Sequence, residues 1–110
     1  MLLGGLATGA QGAVGSTYNL AAPLYHQVIA QFAAGKLSEA QRLQLLSVRM
    51  VEAVKKYRPL PALKSMMKLA GVDCGPTRQP LVAMTAAECD ALNRDLAEIG
   101  FLEWMQGRPS

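Results

Sequence analysis

The chain is poor in the residue types that mark several function classes. It has one histidine and two cysteines, Cys74 and Cys89, which stand at no metal-ligand spacing, so no zinc or cluster motif can be assembled from them. A disulfide between the two is unsupported, and two free thiols in a reduced compartment is the reading preferred. Aromatics are few, at three tyrosines, two phenylalanines and one tryptophan, and the net charge is only +3. The lysines and arginines are scattered, with Lys55-Lys56 the only adjacent pair. A nucleic-acid binder carries a denser basic stripe interleaved with aromatics, so nucleic acid is not an expected partner. No run approaches the ~20 apolar residues of a membrane span, so no membrane partner is expected either. The opening MLLGGLATGA lacks the positive start of a signal peptide and is broken by glycines. Together these absences predict a soluble, cytoplasmic chain.

What is present is a globular composition, 51% hydrophobic over 110 residues, which suffices for one small domain. Leu2 to Thr8 reads as the end of a helix stopped by Gly9. Gly12-Ala13-Val14-Gly15-Ser16 reads as a short strand, with a weaker one at Pro80-Leu81-Val82-Ala83. Leu20, Leu24, Val28 and Phe32 recur at helical spacing and predict a helix over 19–34, ended by Gly35. Ser38-Glu39-Ala40-Gln41 has the form of a capping box. It would open a helix to Tyr57 with a stripe of Leu43, Leu46, Met50 and Val54. Pro59 and Pro61 suit the start of another helix, carrying Leu60, Leu63, Met67 and Ala70 to Gly71. Residues 72–84 are irregular, and Thr85-Ala86-Ala87-Glu88 is a second capping box. The helix behind it carries Cys89, Leu92, Leu96 and Ile99, after which Phe101, Leu102 and Trp104 are expected to fold back on the core. Gly107 to Ser110 is expected to fray.

Glycines at 9, 12 and 15 followed by Ser16-Thr17-Tyr18-Asn19 pose the functional question. A phosphate loop needs a lysine before the hydroxyl residue, and Gly15 stands there instead. A dinucleotide fingerprint needs G-x-G-x-x-G between strand and helix, which this spacing does not give. A barrel strand whose end presents hydroxyls to a ligand would fit, and so would an inert, tightly packed turn. A lone strand also needs partners for its N–H and C=O groups, and the chain offers no neighbouring strand.

The segment from Met1-Leu2-Leu3 through Gly12-Ala13-Val14-Gly15-Ser16-Thr17-Tyr18-Asn19 resembles the last strand region of the N-acetylneuraminate lyases, within the dihydrodipicolinate synthase superfamily. Leu60-Pro61-Ala62-Leu63-Lys64, then Gly71, Gly75, Arg78, Pro80 and Leu81, resembles the superfamily's C-terminal helical signature. The resemblance implies a parent α/β (β/α)8 TIM barrel of about 250 residues. This mostly α chain would be the last part of it. Residues 1–35 would be the end of helix seven, strand eight and helix eight, and residues 36–110 the C-terminal helical extension. Met1 would match an internal methionine of relatives, so a fragment is expected.

The implied activity is a class I aldolase that cleaves N-acetylneuraminate to N-acetylmannosamine and pyruvate through a lysine Schiff base, without metal or organic cofactor. The Schiff-base lysine would lie upstream of Met1, so no catalytic residue is assigned here, and the chain alone is expected to be inactive. Lys36, Lys55, Lys56, Lys64 and Lys68 read as solvated helix faces. The substrate-binding expectations are Gly15, which allows close approach, Ser16, which bonds a substrate hydroxyl, and Leu60, which lines the acyl-sugar end. His26 is expected to be a surface or packing residue, and Tyr18 either orients the loop or packs. The implied parent is a homotetramer acting on a small-molecule substrate. Dihydrodipicolinate synthase or another 2-keto-acid aldolase is the alternative within the superfamily. A self-standing helical interaction module is the alternative outside it.

Overall fold

In a computed structural model, residues 1–106 are described. They form six helices in chain order, α1 (Leu2–Ala7), α2 (Tyr18–Ala33), α3 (Leu37–Lys55), α4 (Pro59–Leu69), α5 (Ala86–Glu98) and α6 (Phe101–Met105). The expected frayed end, Gly107 to Ser110, lies outside the described residues. The antiparallel pair α2 and α3 is the spine. The short α1 packs on both, α5 and then α4 lie along α3, and α6 returns to α2 and α5. The radius of gyration is 14.7 Å, with extents of 43 × 26 × 22 Å. A near-spherical chain of this length would have about 13 Å, so the bundle is elongated.

Periodicity accounts for the core of α2, α3 and α5. Leu24 and Val28, Leu43 and Met50, and Leu92 and Leu96 are all buried, as the helical spacing predicts. Phe101 and Trp104 are also buried, with rings edge-on at 6.2 Å and 76°, so the expected fold-back of the C-terminal segment is observed. The Thr85 capping box forms in full: the Thr85 hydroxyl accepts from the Glu88 N–H and the Glu88 carboxylate accepts from the Thr85 N–H.

Four expectations change. The Ser38 box does not form, because α3 starts two residues earlier than that cap requires, at Leu37, with Lys36 as its N-cap. The Lys36 N–H reaches back to the Gln31 carbonyl at 2.9 Å, so the turn at Gly35 feeds straight into α3 and Ser38 falls inside its first turn. The second helix is kinked: Ala21 leaves helical geometry at φ −124°, ψ 29°, ahead of Pro23, whose ring and missing N–H disrupt the preceding turn. On α4 the buried face is Pro61, Ala62 and Met66, and Leu60 is 47% exposed. The helix has apolar residues on two sides, so its spacing alone does not select the face that meets α3 and α5.

The fourth change concerns the strands. Among the described residues neither Gly12–Ser16 nor Pro80–Ala83 is a strand. Residues 10–16 link α1 to α2 on the surface, with Val14 fully exposed. A strand is defined by its ladder, and no described segment lies beside this one to form it.

Candidate functional site

The glycine-rich linker starts where α1 ends. Gly9 takes φ +92°, a left-handed conformation that closes the helix, and the Ala10 N–H bonds the Gly5 carbonyl at 2.9 Å. At Gly12 a side-chain carbon would meet nothing within 4 Å. At Gly15 it would stand 2.9 Å from Cε2 and 3.1 Å from Cδ2 of Tyr18. Gly15 is therefore required by the ring of Tyr18, and its carbonyl accepts the Tyr18 N–H at 3.1 Å.

Tyr18 packs as well as shaping the loop. Its ring lies 4.2 Å from that of Tyr25, seven residues on across the kink at Ala21, with the planes tilted by 58°. Burial pushes the Tyr18 phenol above its ordinary pKa, and the neighbouring Tyr25 adds to the shift. Thr17 and Tyr25 share a hydroxyl–hydroxyl hydrogen bond of 2.9 Å. Around these groups lies a groove of about 420 Å³, lined by Val14, Gly15, Thr17, Tyr18 and Tyr25 and by Ser47, Glu52 and Lys55 of α3.

One wall of the groove is built by two buried polar residues of α3, Gln44 and Ser47. Gln44 Oε1 accepts the Leu3 N–H at 2.8 Å, satisfying a free donor at the start of α1 and pinning that helix to α3. Gln44 Nε2 donates to the Ser47 hydroxyl, which donates in turn to the Gln44 carbonyl at 2.8 Å. The arrangement offers aromatic faces, hydroxyls and one charge of each sign. Among the described residues no three His, Cys, Asp or Glu side chains gather as a metal set, and no helix is long and apolar enough to cross a membrane.

The structure brings only part of the expected site together. Gly15 lines the groove; Ser16 is exposed at the turn and does not line it. Leu60 sits on α4, which packs on α3 and α5, and is not part of the groove. His26 is exposed, and both cysteines are free thiols. Lys36, Lys55, Lys56 and Lys68 are exposed as expected, but Lys64 is half-buried and bonds two backbone carbonyls. The sequence reading missed Thr17, Tyr25, Gln44 and Ser47. Spacing was a signal for Gln44 and Ser47, nearly one helical turn apart, but not for Tyr18 and Tyr25, which the kink at Ala21 separates.

Comparison with known proteins places this geometry. The family model described as "Dihydrodipicolinate synthetase family" matches residues 1–99. An N-acetylneuraminate lyase of Rhizobium meliloti (strain 1021) is 35% identical over 106 residues, which is 96% of this chain and 35% of that protein. An N-acetylneuraminate lyase of Lactiplantibacillus plantarum is 40% identical over 81 residues, 74% of this chain and 28% of that protein. The solved N-acetylneuraminate lyase of Proteus mirabilis superposes with a TM-score of 0.82 at 35% identity, covering 88% of this chain and 33% of its own. The enzyme of Aliivibrio salmonicida gives 0.85 at 29% identity, covering 91% and 33%. These neighbours are TIM-barrel aldolases, and the chain spans about a third of the length of the relatives it matches. By the family match over residues 1–99, the chain belongs to the dihydrodipicolinate synthetase family.

Proposed function

We propose that this chain is the C-terminal third of an N-acetylneuraminate lyase-like class I aldolase. The observation that carries the reading is the likeness to N-acetylneuraminate lyases over 88–91% of this chain but only 33% of theirs. In the intact enzyme, residues 1–35 would provide the end of helix seven, strand eight and helix eight, and residues 36–110 the helical extension. The exposed linker 10–16 would become the strand once neighbouring strands supply its ladder. Its small residues, Gly12, Ala13 and Gly15, with open space at Gly12, support that role.

The chemistry would begin outside this chain. A lysine amine condenses with the keto carbon of N-acetylneuraminate, water leaves, and the resulting iminium accepts the electron pair as the carbon–carbon bond breaks. The hydroxyl beside the broken bond gives up its proton as it becomes the carbonyl of the departing N-acetylmannosamine, the enamine left on the lysine takes a proton at carbon, and hydrolysis releases pyruvate and restores the amine. This chain's share would be binding: Ser16 bonds a hydroxyl of the sugar-derived chain, Gly15 lets it approach, and Leu60 lines the acyl end. The parent would be a cytoplasmic homotetramer needing no metal or organic cofactor. The closest alternative chemistry is that of dihydrodipicolinate synthase or another 2-keto-acid aldolase.

A second reading, a self-standing helical interaction module, is favoured by the core that α1 to α6 share, with no strand among the described residues. One experiment separates them. The chain is mixed with the N-terminal two-thirds of the Rhizobium meliloti relative, and pyruvate release from N-acetylneuraminate is followed by a coupled lactate dehydrogenase assay. Activity in the mixture alone is expected, with Ser16→Ala lowering it. An inactive mixture, with cooperative unfolding of the chain by itself, would favour the module. A pyruvate–borohydride adduct on a lysine of this chain alone would overturn the assignment of the nucleophile to the missing part.

A further inference from the structure

Residues 72–84, between α4 and α5, contain neither helix nor strand, yet cations hold them along their length. Lys64 Nζ donates to the carbonyls of Cys74 and Pro76, each at 3.0 Å. Lys68, one turn further on, pairs with Asp73 at 3.4 Å. At the far end Arg58 donates to the Ala83 carbonyl at 3.3 Å and pairs with Glu88, the capping residue of α5, at 2.9 Å. Within the segment the Gly75 N–H bonds Asp73 Oδ1 at 2.9 Å, and the Thr77 hydroxyl bonds the Leu81 carbonyl at 3.1 Å. Beneath lies a cleft of about 310 Å³ between α4 and the start of α5, lined by Ser65 and Cys89 of those helices and by Pro76, Thr77 and Met84 of the segment itself. Cys89 is half-buried, whereas Cys74, on the segment itself, is exposed.

We propose that residues 72–84 form a strap that Lys64 locks across this cleft, so that Cys89 is reached when the Lys64 clamp opens. The attachment is mainly polar: Val72, Leu81 and Val82 of the strap are 51%, 42% and 61% exposed, and its apolar packing on the core is Met84, at the end next to α5. The Lys68–Asp73 pair is exposed at both partners and contributes little. Lys64 is half-buried and bonds two carbonyls at once, and both bonds are lost together if the strap lifts. Segments with few buried apolar contacts open at low free energy without melting their neighbours. The strap can therefore move while α4 and α5 stay formed.

The test uses the full chain carrying Cys74→Ser, in which Cys89 is the single remaining thiol. Its exchange with dithiobis-nitrobenzoate transfers one arylthio group to the Cys89 sulfur and releases one thionitrobenzoate, which is counted by absorbance. Adding Lys64→Gln should speed labelling about tenfold, as expected for losing charge-assisted bonds, while Lys55→Gln on exposed α3 should not change it. Labelling of the Lys64→Gln protein at the parent rate, with its helical circular dichroism intact, would overturn the proposal. If that variant loses helicity, hydrogen exchange of the chain with native Lys64 decides. Amides of 73–77 opening ahead of those in α4 and α5 support the strap, and amides opening together with them refute it.

Discussion

Replacing Phe101 by alanine probes how the last helix holds the bundle together. Phe101 is fully buried and meets Trp104 edge-on at 6.2 Å, and α6, which carries both, packs on α2 and α5. Removing a buried phenylalanine costs about 3–5 kcal/mol, from lost transfer energy and the cavity left behind. Roughly 0.5–1.5 kcal/mol of that belongs to the ring pair. Against a total stability of about 5–15 kcal/mol, this is a large share. At a urea slope of about 2 kcal/mol per molar, the midpoint should fall by about 1.5–2.5 M. Trp104 is the only tryptophan, so its emission reports the site directly and should shift to the red in the native baseline of the variant. Leu102, 45% exposed on the same helix, is the control: Leu102→Ala should stay within about 0.5 kcal/mol of the parent. A Phe101→Ala midpoint within about 0.3 M of the parent, where about 0.6 kcal/mol is at stake, would refute the placement of α6 against α2.

Two further substitutions test other parts of the structure. Gly15→Ala places a methyl group 2.9 Å from the Tyr18 ring, so it should cost about 1–3 kcal/mol by overpacking and alter the near-ultraviolet tyrosine dichroism; Gly12→Ala, with nothing within 4 Å, is the control and should leave that spectrum unchanged. The third outcome concerns pH. The Lys56 ammonium bonded to Asp95 holds its carboxyl below the usual carboxylate range, and the Tyr57 hydroxyl adds to this, both at 3.1 Å. A carboxyl with a lowered folded pKa stabilises fully above its unfolded value near 3.9, and that contribution is lost as pH falls through the folded value. Asp95→Asn should therefore lower the melting temperature at pH 7 and flatten its decline below about pH 4. An unchanged decline in the variant would show that the bridge from the C-cap of α3 to α5 is not formed in solution.

The helices were legible in the sequence because the signals that make them are local. Apolar spacing marked α2, α3 and α5, and a reciprocal pair of side-chain and backbone bonds, both within four residues, marked Thr85. The misreadings came where a local signal had a competitor. Ser38 had the residues of a cap, but the turn at Gly35 started α3 before it. Of the apolar residues expected on α4, Leu63 and Met67 pack partly on the core, but its centre is Pro61, Ala62 and Met66, and Leu60 faces out. The strand at 12–16 was read from small residues and rests on a ladder that the described residues do not contain.

By itself the sequence determined the helical segments, most of the core of α2, α3 and α5, and, through Gly-Ser-Thr-Tyr-Asn and Leu-Pro-Ala-Leu-Lys, the family. Each depends on residues a few positions apart, or on a run of them. Only the tertiary structure decided that Gln44 fastens α1 and that Lys64 reaches across ten residues to Cys74. These are contacts between groups that folding brings together from different elements, so spacing along the chain carries no record of them.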